Sequence, residues 1–316
     1  MVLNNITYTI AHTVLYTLSL LPWKILYLIS DMATPIVHKY YRHEIVSRQL
    51  HESFPHKSEE ELSHIERNFY RHFCDLFVEI IKQFSMSREE MMRRMTFSGH
   101  EEMMSQCNSR QPLMLVMLGH MANWEWVASL QYWLPRVHCT QVYHPLYNNI
   151  FDRLFINLRQ QYGGETIKMR QAVRRLIQLH QEQRITVCGM IADQQPKWEA
   201  IHHFSTLLNH ESAVFVGTEQ IAKKIGCKVY YASMTQPRRG YYHCHFTPLT
   251  LTPKDEPDYN ITDRYMQMLE ADIQDSPELW LWTHIRWSRT RQQWEERQKQ
   301  EQSDKQVRTD TQERNE

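Results

Sequence analysis

Four short apolar runs, at 113–118, 137–142, 185–191 and 227–233, alternate with helical patterns at 123–134, 148–162, 170–181 and 213–225. Strand then helix, repeated, calls for a largely parallel sheet flanked by helices, because parallel neighbours need a crossover long enough to hold a helix. Such crossovers are right-handed, and ligands bind where the carboxyl ends of the strands meet the loops that follow. Catalytic residues are therefore expected just after strands. Ahead of the alternation, Leu62, Ile65, Phe69, Phe73, Phe77 and Ile80 recur at spacings of three and four within 58–84, which predicts a long amphipathic helix.

The chain of 316 residues, 42% hydrophobic, can bury the core of one α/β catalytic domain with attached ends. Lys plus Arg equals Asp plus Glu at 36 each, so no net field draws the chain to nucleic acid, and no nucleic-acid partner is expected. Only eight glycines occur and none forms a phosphate-wrapping cluster, which disfavours dinucleotide folds and phosphate-loop nucleotidases. No cofactor is expected, so the substrate must arrive already activated, as a thioester does. Cys74, Cys107, Cys139, Cys188, Cys227 and Cys244 lack the close pairing of zinc or redox motifs and read as reduced thiols. His243 and His245 share a face if 241–247 is a strand, but no third ligand follows at suggestive spacing, and no metal is expected. No G-x-S-x-G elbow is present, so covalent catalysis is not indicated.

Residues 10–29 are mostly apolar and approach the ~20 residues that cross a bilayer, interrupted by His12, Pro22 and Lys24. A secretory signal would need a basic start, and nothing basic precedes them, so an uncleaved anchor is expected. Lys39, Arg42 and Arg48 then place the body on the cytoplasmic side. The alternative is a buried helix, or one lying in the interface with Trp23, Lys24 and Tyr27 at headgroup level. The expected organisation is an anchor at 1–31, a catalytic domain at 32–290 and a charged tail at 291–316, a solvated helix fraying into disorder.

At the first strand end, Gly119 permits a sharp exit and Asn123 can cap a helix beginning at Trp124. His120 then sits on the turn, and Glu125 falls in the first helical turn, where exposed amides favour a carboxylate. Residues five apart on one helix point about 140° apart, so the two meet only with His120 outside it. Glu125 is expected to accept one ring N–H, leaving the other nitrogen as base. On spacing alone, a loop histidine beside a capping glutamate explains the pair as well.

His120-Met-Ala-Asn-Trp-Glu125 resembles the H-x4-D/E motif of the lysophospholipid acyltransferase superfamily, and its flanks are similar to the lipid A late-acyltransferase branch. Further blocks agree in order: Phe54-Pro55, then Asn68-Phe-Tyr-Arg-His-Phe73 with Glu79 and Lys82, then Val142-Tyr-His-Pro-Leu146 with Asn148, Arg159 and Gly163. Asp193-Gln194 and Pro277-Glu-Leu-Trp-Leu-Trp-Thr-His284-Ile-Arg286-Trp287 resemble the later ones, so that the similarity runs from about Tyr40 to Trp287. At 207–212 the branch has two aromatics, a glycine and small residues, and here Asn209 can replace the glycine because Asn tolerates positive φ.

The resemblance implies transfer of a fatty acyl chain from acyl carrier protein to a hydroxyl of a lipid A precursor, at the cytoplasmic face of the bacterial inner membrane. A lysophospholipid or aminoacyl acceptor, or a catalytically silent lipid-binding protein, are the alternatives. It implies His120 as base, Glu125 as its partner and Arg159 as oxyanion donor or phosphate clamp. Asn123, Asp193, Gln194 and Arg286 are expected to bind substrate. Asp193 and Gln194 could instead brace His120, and Arg286 with Trp280, Trp282 and Trp287 either anchors acidic headgroups or forms a packed aromatic segment.

Overall fold

The computed structural model describes the backbone of residues 2–313 and the side chains of residues 5–303. Helices α1 (Val2–Ser19), α2 (Trp23–Tyr40), α3 (His43–Ser53), α4 (Glu59–Lys82) and α5 (Arg88–Arg94) precede strand β1 (Met95–Ser98) and helix α6 (His100–Ser105). The alternating region holds β2 (Leu113–Leu118), α7 (Leu130–Trp133), β3 (His138–Tyr143), α8 (Asn149–Gln160), β4 (Glu165–Lys168), α9 (Ala172–Gln181) and β5 (Thr186–Ile191). Then come β6 (His203–Leu207), β7 (His210–Val214), α10 (Gly217–Ile225), β8 (Lys228–Arg238), β9 (Tyr241–Thr250), α11 (Asn260–Asp275) and α12 (Arg291–Glu313).

Seven strands form one sheet in the order β1-β9-β8-β2-β5-β3-β4, parallel except between β8 and β9. The fold class is therefore the expected one, a mostly parallel sheet flanked by helices. All six residues of β2 are buried, as befits a strand covered on both faces. Its register with β5 sets Leu118 beside Ile191, so the loops leaving both strands start side by side.

Helix α4 matches the expected amphipathic helix. Its start is fixed by a capping box in which the Ser58 side chain accepts from the Glu61 backbone and the Glu61 carboxylate accepts from the Ser58 backbone. One face buries Leu62, Ile65, Phe69 and Phe73, whereas Phe77, expected on the same face, is 56% exposed and Ile80 is only partly buried.

Three expectations change. The apolar segment at 10–29 is not one helix: the chain breaks between Ser19 and Trp23, where Pro22 lacks the N–H that a continuing helix needs, and the two pieces meet at 107°. Among the described residues no single helix is long and apolar enough to cross a membrane, whereas this bent pair is, by length and composition. The helix expected at 123–134 is a 3-10 stretch, Trp124–Ser129, followed by the short α7. The one expected at 213–225 begins only at Gly217, because 210–214 pair with β6 as an antiparallel hairpin. In the tail expected to fray into disorder over 291–316, α12 runs from Arg291 to Glu313, and 314–316 lie outside the described residues.

Candidate active site

His120 follows β2 and Asp193 follows β5, so the adjacency of these two central strands brings both to one point at the carboxyl end of the sheet. Gly119 makes the exit possible, since a Cβ there would lie 2.5 Å from a methyl of Leu269 on α11. The Nδ1 of His120 lies 2.5 Å from Oδ1 of Asp193, and the backbone N–H of His120 donates to Oδ2 of the same carboxylate (3.0 Å). That Oδ2 also accepts from the Trp280 indole (2.9 Å) and from the Arg286 guanidinium (3.1 Å). Burial works to raise the Asp193 pKa, but the His120 and Arg286 charges and these donors outweigh it and hold the carboxyl well below the usual range.

An ionised carboxylate can only accept, so in the neutral ring the proton sits on Nδ1 and Nε2 keeps the lone pair. The Gln194 amide nitrogen lies 3.4 Å from that Nε2. His120 keeps 17% of its side chain accessible, whereas Asp193 keeps none. A fully buried acid thus orients a partly accessible ring.

The ring partner is therefore Asp193 and not, as the spacing suggested, Glu125. After His120 the chain turns through Ala122, held at φ 49°, and Asn123 caps the 3-10 stretch by accepting the Trp126 N–H. Glu125 emerges on the side facing α8, where Arg159 donates to both its oxygens through Nε (2.8 Å) and Nη2 (2.7 Å). Burial would raise the Glu125 pKa, but the Arg159 charge, its hydrogen bonds and the nearby His120 keep it lowered. Arg159 is itself flanked by the rings of Phe155 and Tyr143, at 5.5 and 6.0 Å. The resulting constellation is an imidazole, the buried acid that orients it and a neighbouring carboxylate–guanidinium pair.

Arg286 is 3% exposed, donates to the Asp193 and Leu281 carbonyls as well as the Asp193 carboxylate, and lies 3.6 Å over the Trp280 ring. Headgroup anchoring does not suit it, and Trp280 and Trp282 are fully buried. The packed-segment alternative fits, and the segment acts on the loop. Ala122 N–H donates to Leu279 O (2.8 Å) and Leu281 N–H to His120 O (3.1 Å). Asn123, also fully buried, has no exposed atom to offer a substrate.

The role of the residues that hold the loop from beneath was not read in the sequence, although the resemblance named Glu79 and the block containing His72. His72, Asp75 and Glu79 form a buried polar stripe on α4, and that stripe at helical spacing was the available signal. Burial pushes the His72 pKa down to about 4, so it is neutral, and its Nε2 lies 3.3 Å from Ala122 O. Glu79 accepts from Asn123 (2.7 Å), Tyr242 (2.8 Å) and Tyr27 of α2 (2.9 Å). Burial nonetheless pushes its carboxyl up to about 7. A raised acid makes the folded state bind a proton that the unfolded chain releases near pH 4.5, so stability from Glu79 falls as pH climbs from there through about 7. His72, with its lowered pKa, acts in the opposite direction. Relative to Glu79→Gln, the wild type is therefore expected to lose up to about 3 kcal/mol between pH 5 and 8 in urea unfolding. Parallel pH dependence in both proteins would contradict this.

The hairpin at 203–214 turns at Leu208 and Asn209, with φ of 50° and 65°. Asn209 thus takes the positive φ expected of a glycine replacement. Leu207 and Ser212 of this hairpin, together with Asp193, Gln194 and Arg286, line a small cavity behind His120. Residues 2–289 match the family model described as bacterial lipid A biosynthesis acyltransferase. No curated protein matches the chain.

Proposed function

The chain belongs to the bacterial lipid A biosynthesis acyltransferase family and is an acyltransferase with a lipid acceptor and an acyl donor; from that premise we propose that His120 is its general base, with a fatty acyl thioester of acyl carrier protein as donor and a lipid A precursor hydroxyl as acceptor. The observation that carries this proposal is the Asp193-held ring with its lone pair at Nε2. The acceptor hydroxyl loses its proton to Nε2 as its oxygen attacks the thioester carbonyl, which assists the step by roughly 10²–10⁴-fold. Collapse of the tetrahedral intermediate expels the carrier thiolate, which takes the proton back from the imidazolium. Asp193 stabilises that imidazolium. Gln194, and the Arg159–Glu125 pair beside it, are assigned to the developing oxyanion or to the acceptor's acidic groups, where one well-aimed donor contributes about 3–4 kcal/mol.

We assign the site to the cytoplasmic face of the inner membrane. Supporting this, Ile6, Ile10, Val14 and Leu18 of α1, and Ile25, Leu28, Ile29, Met32 and Ile36 of α2, are exposed at helical spacings. Such stripes are the pattern of helices resting in an interface. One experiment tests both statements. The full chain is mixed with vesicles containing lipid A precursor and with acyl carrier thioester, and the lipids are weighed by mass spectrometry. The expected outcome is a precursor heavier by one acyl group and a protein that floats with the vesicles. Flotation should be lost in an Ile25→Lys/Leu28→Lys/Met32→Lys variant. An unmodified precursor would refute the assigned donor and acceptor, and undiminished flotation of the variant would refute membrane contact through the apolar stripe of α2.

A further inference from the structure

Far from the catalytic loop in sequence, a histidine pair and a buried glutamate converge where α2 ends. Residues five apart on one helix point about 140° away from each other, so His38 and His43 could not meet had α2 continued. The chain instead leaves the helix at Tyr41 (φ −110°, ψ 101°) and turns through Arg42 in the left-handed region (φ 55°). The two rings then lie 5.1 Å apart at 73°. His38 Nε2 is 3.2 Å and His43 Nδ1 2.6 Å from the same oxygen of Glu66 on α4.

We propose that His38, His43 and Glu66 bind one divalent cation of the zinc class, which fastens the corner between α2 and α3 to α4. The three ligand atoms all lie within 4.8 Å of one another. In a tetrahedral zinc centre, with bonds of about 2.0–2.2 Å, ligand atoms stand roughly 3.3 Å apart, so small rotations of the rings suffice. Two imidazoles and one carboxylate suit zinc better than calcium or magnesium, which prefer all-oxygen shells.

The frame is already in place. Glu66 is 7% exposed, and the His38 ring packs on Tyr70 at 4.7 Å. Tyr70 is fully buried and donates to Tyr41 O (2.7 Å) at the helix break itself. His43, by contrast, has a half-exposed side chain, which leaves an entry path and room for a water as fourth ligand. The metal would tie α2, which carries the apolar stripe, to the helix that props the catalytic loop.

The test is zinc content after equilibrium dialysis of the detergent-solubilised full chain, beside a His38→Ala/His43→Ala variant. Expected are about one equivalent more zinc in the wild type, and a zinc-induced rise in Tm of roughly 5 °C at 100-fold excess over Kd that the variant lacks. Equal zinc content and equal Tm response in the two proteins would overturn the site. Should the variant fail to fold by circular dichroism, X-ray absorption of the zinc-loaded wild type decides. A shell with two imidazoles and one carboxylate supports the site, and any other shell, or no retained zinc, overturns it.

Discussion

Replacing His120 by alanine is expected to lower the rate of acyl transfer by ~10²–10⁴-fold or more, while the protein keeps its fold. The magnitude follows from losing the group proposed to take the acceptor proton. The fold survives because the ring is partly accessible, and Asp193 retains the backbone of His120, the Trp280 indole and the Arg286 guanidinium as donors. Single-turnover transfer from acyl carrier thioester, with Tm measured alongside, checks both halves. Near-wild-type turnover in a folded His120→Ala protein would remove His120 from the chemistry.

Asp193→Asn is expected to cost about as much, through the tautomer rather than through removal of the ring. Oδ2 faces three N–H donors and must remain an oxygen, so the new amide NH2 takes the place of Oδ1 against Nδ1 of His120. An N–H pointing at Nδ1 makes that atom the acceptor and moves the proton to Nε2, the position from which the base must act. In serine proteases the corresponding aspartate-to-asparagine change lowers kcat by ~10⁴, and a drop of that order is expected here in single-turnover assays. The substitution also leaves the Arg286 guanidinium buried without its counter-ion, which costs about 3–5 kcal/mol. A fall in Tm should therefore accompany the loss of turnover, unlike His120→Ala. Full activity in folded Asp193→Asn would show that the orientation of His120 does not depend on this acid.

The central strands were legible because they are buried on both faces, so β2 reads as six consecutive apolar residues and its helix partners read at spacings of three and four. Placing His120 on the turn after β2 needed only Gly119 and that run. Its partner was legible only as an alternative to Glu125, because Asp193 lies 73 residues away. Only the pairing of β2 with β5, which no local pattern encodes, makes the two neighbours. Glu125 was close in sequence but directed elsewhere by a 3-10 turn that is indistinguishable from an α-helix start at the level of residue types. Arg286, Trp280 and Trp282 carried the look of an interfacial cluster, since a charged residue among large rings is read equally well as surface or core. Arg286 and Trp280 are drawn inside as donors to Asp193, whose buried charge requires partners. The short strands β1 and β4, four residues each, fell below the length at which alternation is readable.

The most direct measurement is the ring tautomer of His120 in the neutral state, read by nitrogen NMR on selectively labelled histidine. With Asp193 as orienting acid, the proton sits on Nδ1 in the wild type and stays there in Glu125→Gln. A proton found on Nε2, or one that leaves Nδ1 only when Glu125 is neutralised, would contradict the assignment of His120 Nε2 as the base steered by Asp193.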